Sequence, residues 1–111
     1  MAIPHATPGQ VVDVHPLGDQ VKVSVTTTLV KTGDLEVIRL VVPAGKEIPE
    51  HKARGAITVQ CLEGAVEFRA LGQTRQLTAG HLLYLEAGEA HALKGVEDSS
   101  LLLTLALRPT A

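Results

Sequence analysis

From Val21 onward, short apolar runs are cut apart by turn residues at close intervals, and no long stretch carries a helical period with caps. That pattern restricts the chain to an all-β architecture. Val21-Lys22-Val23-Ser24-Val25 alternates apolar with polar, Thr26 to Val30 continues the β-favouring run, and Thr32-Gly33-Asp34 turns it back. Leu35 to Val42 reads as a strand closed by Pro43-Ala44-Gly45. Ile48 to His51 reads as an edge or irregular strand, because Pro49 lacks the amide that a central strand donates. Ala56 to Leu62, Ala65 to Ala70, Gln76-Leu77, Leu82 to Leu85 and His91 to Val96 follow as strands separated by glycine-containing turns. Glu97 to Ser100 reads as a polar loop, and Leu101 to Leu107 as a strand apolar enough to be buried on both faces. Residues 1–20, with Pro4, Pro8, Gly9, Pro16 and Gly18, read as an extended lead-in with one short strand, Val11 to Val14. Roughly eight to ten antiparallel strands of this length close most simply into a jelly-roll barrel, which removes exposed edges.

Composition narrows the function classes. With 111 residues the chain is read as one domain, 1–111, large enough to bury a core without disulfides or metal. Aromatic residues make up only 2%, essentially Phe68 and Tyr84, so the core must be aliphatic, and the shortage counts against base stacking on aromatic rings. The net charge is −2 and the basic residues are scattered, which argues against a nucleic-acid partner. Cys61 is the sole cysteine, so no intrachain disulfide forms, and a reducing cytoplasm is the expected setting. Met1 to Gln10 has no apolar stretch behind a basic one, the pattern a signal peptide would need. Leu101 to Leu107 is far shorter than a membrane span.

Two glycine- and histidine-centred segments stand out. In the first, Gly45 is followed by five residues and His51, and Gly64 closes the segment. In the second, Gly80, Gly88 and His91 keep a fixed spacing. These segments resemble the two motifs of the cupin family, in which the first runs Gly, five residues, His-x-His, Glu and a closing Gly, and the second runs Gly, five residues, Pro-x-Gly, two residues, His and Asn. The resemblance spans about Leu35 to Leu107. It implies a small single-domain cupin: an antiparallel double-stranded β-helix of the RmlC-like jelly-roll type, with cupin motifs and core over 35–107. It places His51 and His91 at two of the family's four usual metal-ligand positions. Ala53 stands where the second histidine belongs and Ile57 where the glutamate belongs; Glu86 and Gly95 replace the proline and the asparagine of the second motif.

Alternate residues of a strand share a face, so inward ligands on neighbouring strands can converge on one ion. Imidazoles and a carboxylate suit iron, manganese, nickel or zinc. Two imidazoles alone fall short of the three or four protein ligands that catalytic metals commonly have. His51 and His91 therefore carry two readings: a reduced metal site, or a ligand pocket without metal in which imidazoles orient a substrate or move a proton near neutral pH. Gln60 is set on the opposite face from Ile57, and His81 at the rim. Cys61, in phase with Ile57 and Val59, reads as a core residue that is also a candidate for the pocket lining. Tyr84, on the strand before the second motif, is the fourth candidate for the lining. Glu50, Lys52 and Arg54 read as solvated charges at the mouth, and His5 and His15 as surface residues. The expected function is binding of a small molecule. The alternatives are a metal-dependent enzyme of dioxygenase or isomerase type, and a structural dimeric barrel without a ligand. A homodimer is expected from the unpaired sheet edges and the family resemblance.

Overall fold

The computed structural model describes residues 5–108; the first four residues of the lead-in lie outside the described residues. Nine strands form among the described residues: β1 (Thr27–Lys31), β2 (Leu35–Val42), β3 (Glu47–His51), β4 (Ile57–Glu63), β5 (Ala65–Ala70), β6 (Gln73–Thr78), β7 (Leu82–Leu85), β8 (His91–Gly95) and β9 (Ser99–Ala106). They build two antiparallel sheets, one in the order β1-β2-β9-β4-β7 and the other β3-β8-β5-β6. The strand periodicity between Leu35 and Leu107 is thus the periodicity of a two-sheet all-β fold. No helix among the described residues is long and apolar enough to cross a membrane.

Register decides which residues face the shared core. Leu101 lies opposite Leu40 on β2 and Cys61 on β4, and Leu103 opposite Ile38 and Val59. Leu40, Val59, Cys61, Leu101 and Leu103, with Val42, Ile57 and Leu85, meet Val66, Phe68, Leu77 and Leu93 from the other sheet. Phe68 is the largest side chain fully buried between them. Aliphatic strands packed about one core stabilise the fold by roughly 25 cal/mol for each Å² removed from water. The last strand is central, between β2 and β4, which is why its outer residues Leu102 and Thr104 are also half-buried.

Three expectations are corrected. Val11 to Val14 forms no strand. Val21 to Val25 is not a strand either: Gly18–Val23 is a 3-10 turn that buries Val21 and leaves Val23 and Val25 each 75% exposed. The loop expected at Glu97 to Ser100 is shorter, because β9 already begins at Ser99. Ser99 and Ser100 are both fully buried. The Ser99 hydroxyl accepts from the Ala65 amide at 2.9 Å and donates to the Glu97 carbonyl at 2.7 Å, so the polar pair costs nothing in unmet hydrogen bonds.

The lead-in lies over the outer face of the five-stranded sheet and is latched by Glu63. Its carboxylate accepts from the amides of Leu17 at 2.7 Å and Gly18 at 2.9 Å, where the 3-10 turn begins, and from the Ser100 hydroxyl. Burial raises its proton affinity, but these three hydrogen bonds and the Arg39 charge outweigh it and hold the carboxyl below the usual glutamate range. The latch therefore contributes stability that is full above the unfolded-state value of about 4.3 and is lost as pH falls through the lower folded-state value. Glu63→Gln is expected to cost about 1 kcal/mol at neutral pH, the charge-assisted bonds being partly solvated. It should also flatten the acid limb of stability; urea midpoints measured between pH 3 and 7 check both effects, and an unchanged acid limb would remove Glu63 as its source.

Candidate functional site

The two motif histidines meet at one end of the sandwich. His91 opens β8 opposite Ala70 of β5 and His51 of β3. Between Ile48↔Leu93 and His51↔His91 the register slips, so Pro49 and Glu50 together face the single residue Ala92. This bulge is what aims His51. Ile48 faces the core, and plain alternation would turn His51 to the other side; one extra residue turns it back onto the face of His91. Pro49, unable to donate to a ladder, sits where the ladder is broken on the edge strand.

The rings lie edge-to-face with centroids 4.2 Å apart. His91 is buried and stacks on Phe68 at 5.7 Å with the planes 9° apart, while His51 is exposed and covers it from the solvent side. The Nδ1 of His51 is 2.9 Å from the Pro49 carbonyl, and that of His91 is 3.0 Å from the Glu89 carbonyl. A carbonyl only accepts, so each Nδ1 carries a proton, and in the neutral tautomer Nε2 is the bare nitrogen. Burial keeps His91 neutral: desolvation lowers its proton affinity more than the Glu89 carbonyl raises it, and the His51 ring lowers it further. The motif loops are joined by the Gly88 amide, which donates to the Ala53 carbonyl at 3.0 Å.

The remaining family ligand positions are apolar. Ala53 packs against the core cluster and Ile57 is only 2% exposed within it. Among the described residues no three His, Cys, Asp or Glu side chains gather closely enough to hold a metal ion. Two imidazoles with a methyl group and a branched aliphatic side chain in the other positions do not fit a resident iron, manganese, nickel or zinc ion.

The other candidates are dispersed. Cys61 is buried in the core on the face of Ile57 and Val59, but at the far end: the β4–β5 corner follows it, and Val59 and Ile57 separate it from the level of His91. Burial pushes its thiol up, the Glu63 charge adds to this, and the thiol donates to the Glu63 carbonyl at 3.3 Å, an inert arrangement. Tyr84 pairs with Thr58 on edge strand β7, is 60% exposed, and borders a cavity of about 130 Å³ with Phe68 and Arg75. Because Leu83 and Leu85 take the core face, Tyr84 belongs to the outer one. Gln60 pairs with Leu82 and Leu102 on that same outer face. His81 is exposed, and its Nδ1 accepts from the Thr78 amide at 3.0 Å. Glu50, Lys52 and Arg54 are exposed, as are His5 and His15. Phe68 is the site residue that sequence reasoning did not assign; the signal was its alternation with Val66, which puts both on the inner face of β5.

A family model described as the cupin domain matches residues 38–106. Among curated proteins none matches the chain. The structure is similar to a conserved protein of unknown function from Streptococcus pyogenes, with 26% identity, a TM-score of 0.74, and coverage of 100% of this chain and 97% of that one. It is also similar to a cupin superfamily protein from Desulfitobacterium hafniense, with 16% identity and a TM-score of 0.74 over 86% of this chain and 94% of that one. A third likeness is to an RmlC-like cupin family protein with a double-stranded β-helix fold from Methanocaldococcus jannaschii. It has 17% identity and a TM-score of 0.73 over 91% of this chain and 95% of that one.

Proposed function

The chain belongs to the cupin family, and on that footing we propose that it binds a small polar molecule at the His51–His91 end of its fold, without a resident metal. The observation that carries this reading is the commitment of both Nδ1–H groups to backbone carbonyls. Two neighbouring Nε2 lone pairs are left to accept hydrogen bonds from one ligand, such as the hydroxyl or protonated nitrogen of a metabolite. One imidazole is buried and the other exposed, so a ligand would be held half-desolvated, where such bonds are stronger than in water. The reading takes the two sheets as halves of one jelly-roll barrel of a single domain. The connections β2 to β3, β3 to β4, β4 to β5, β6 to β7, β7 to β8 and β8 to β9 each pass from one sheet to the other, which supports it. The lone thiol supports a cytoplasmic setting.

Elemental analysis of the purified protein is expected to find no stoichiometric iron, manganese, nickel or zinc. In a thermal-shift screen of polar metabolites, a stabilising ligand should lose its effect in His51→Ala. That variant itself should stay within about 0.5 kcal/mol of the parent chain, because the side chain is exposed. One equivalent of metal, or a ligand indifferent to His51→Ala and His91→Gln alike, would overturn the reading.

We propose in addition a homodimer across the outer face at edge strand β7. Leu82 and Tyr84 are 62% and 60% exposed there, beside uncharged Gln60 and Thr58. Light scattering should give twice the 11.7 kDa chain mass, and Leu82→Glu combined with Tyr84→Lys should give the monomer. A monomeric parent chain at micromolar concentration would refute it.

A further inference from the structure

We propose that the open crevice between the lead-in and the five-stranded sheet binds a small monocarboxylate with an apolar body, and that Arg39 holds the carboxylate. The crevice encloses about 510 Å³ on the outer side of the sheet, away from both imidazoles. That is the volume of an ordinary small-molecule site. Leu17, Val23, Val25 and Leu29 supply aliphatic walls, and Arg39 supplies the guanidinium of a lining that also holds Asp13 and His15.

Arg39 is the feature that calls for a ligand. It is 7% exposed in the middle of an otherwise aliphatic stretch of β2. Among the described residues its hydrogen bonds go to neutral acceptors, Nη1 to the His15 carbonyl at 2.8 Å and Nη2 to the Asp13 carbonyl at 3.2 Å. Among the described residues no carboxylate comes within 4.0 Å of it to form an ion pair. The nearby acids have other donors: Asp13 is paired with His15, and Glu63 accepts from Leu17, Gly18 and Ser100. A guanidinium carries five N–H donors in a fork that matches a carboxylate; the charges of Asp13 and Glu63 act on it from a distance, but neither carboxylate fills that fork by direct contact. Its Nε–H has no acceptor among the described residues, and no side-chain nitrogen there is both buried and unpartnered, so it is still reached from the crevice.

The walls select the rest of the ligand. Val23 and Val25, each 75% exposed, present branched aliphatic surface to water at the rim. An aliphatic or aromatic body would cover them, whereas a sugar phosphate would leave them wet and lose its own hydration. Because the crevice lies across the sheet from the His51–His91 pair, its occupancy is independent of the function proposed above.

Amide chemical-shift titration of the ¹⁵N-labelled full chain with sodium octanoate tests this. Saturable shifts are expected at residues 13–17 and 23–25, with octan-1-ol weaker by about tenfold or more and inorganic phosphate without effect. Arg39→Met should weaken octanoate by a similar factor. Since Arg39 also pins the lead-in, Val25→Asp provides a second variant. It sets a carboxylate at the exposed rim, leaves the Arg39 bonds in place, and should repel octanoate about tenfold or more. No saturable shift, equal binding of the alcohol, shifts centred on His51 and His91, or full affinity in Val25→Asp would each overturn the proposal.

Discussion

Gly64→Ala is expected to abolish the native fold, with a loss of stability above about 4 kcal/mol. Gly64 sits at the corner between β4 and β5 with a φ of +80°, a conformation that costs an L-residue roughly 1–2 kcal/mol by itself. The larger part is steric. A Cβ at this position would run into the Ser99 hydroxyl, the Asp98 carbonyl and the Ser99 Cα. Two of these contacts are backbone, and Ser99 is fully buried and bonded to Ala65, so nothing there is free to yield. Gly72→Ala is the control: its φ is +74°, but no atom lies within 4 Å of the new Cβ, and only the conformational cost of about 1 kcal/mol is expected. Urea unfolding followed by circular dichroism compares the two. A Gly64→Ala midpoint equal to that of Gly72→Ala would show that the corner opens freely.

The same corner marks how far the sequence could be read. The strands from Leu35 to Ala106 were legible because alternation and turn chemistry are local signals, and tertiary packing agreed with them. Val21 to Val25 alternates just as well, yet forms a turn with two exposed valines. The start of that turn is held by the Glu63 carboxylate on the Leu17 amide, 46 residues away in sequence, a contact no local pattern contains. Ser99 and Ser100 read as loop for a related reason: their burial is affordable only through partners on other strands. At the site, the spacing of the motifs located His51 and His91, but their contact depends on the bulge at Pro49 and Glu50, which alternation alone would have missed. Tyr84 was illegible because Leu82-Leu83-Tyr84-Leu85 contains no charged or small polar residue to set its phase. Arg39 is a cation set within the aliphatic run from Val37 to Val42, the kind of local conflict that marks a site, though one charge in a strand is a weak signal by itself.

Phe68 ties the stability of the sandwich to the chemistry of the imidazole pair, and the two effects are separable by substitution. Phe68→Ala should cost about 3–5 kcal/mol, since the ring is the largest fully buried side chain and its removal leaves a cavity between the sheets. Phe68→Leu, closer in volume, should cost about 1–1.5 kcal/mol and remain folded. In that variant the stacked face of His91 loses its cover. Burial is the main cause of the low proton affinity of His91, so its pKa should rise toward the ordinary value of about 6.5. The linkage follows from the sign. An unfolded chain takes up the proton before a fold that holds His91 neutral. Stability is therefore full above about pH 6.5 and is lost as pH falls from there toward the lower folded-state value. Phe68→Leu should narrow that window, and ligands that need a bare Nε2 should lose affinity at a higher pH than with the parent chain. Histidine Cε1–H titration by NMR, alongside urea midpoints across the same pH range, reads both. If Phe68→Leu loses stability while the His91 titration stays where it was, the ring supports the core but not the site, and the burial that holds His91 neutral comes from its other neighbours.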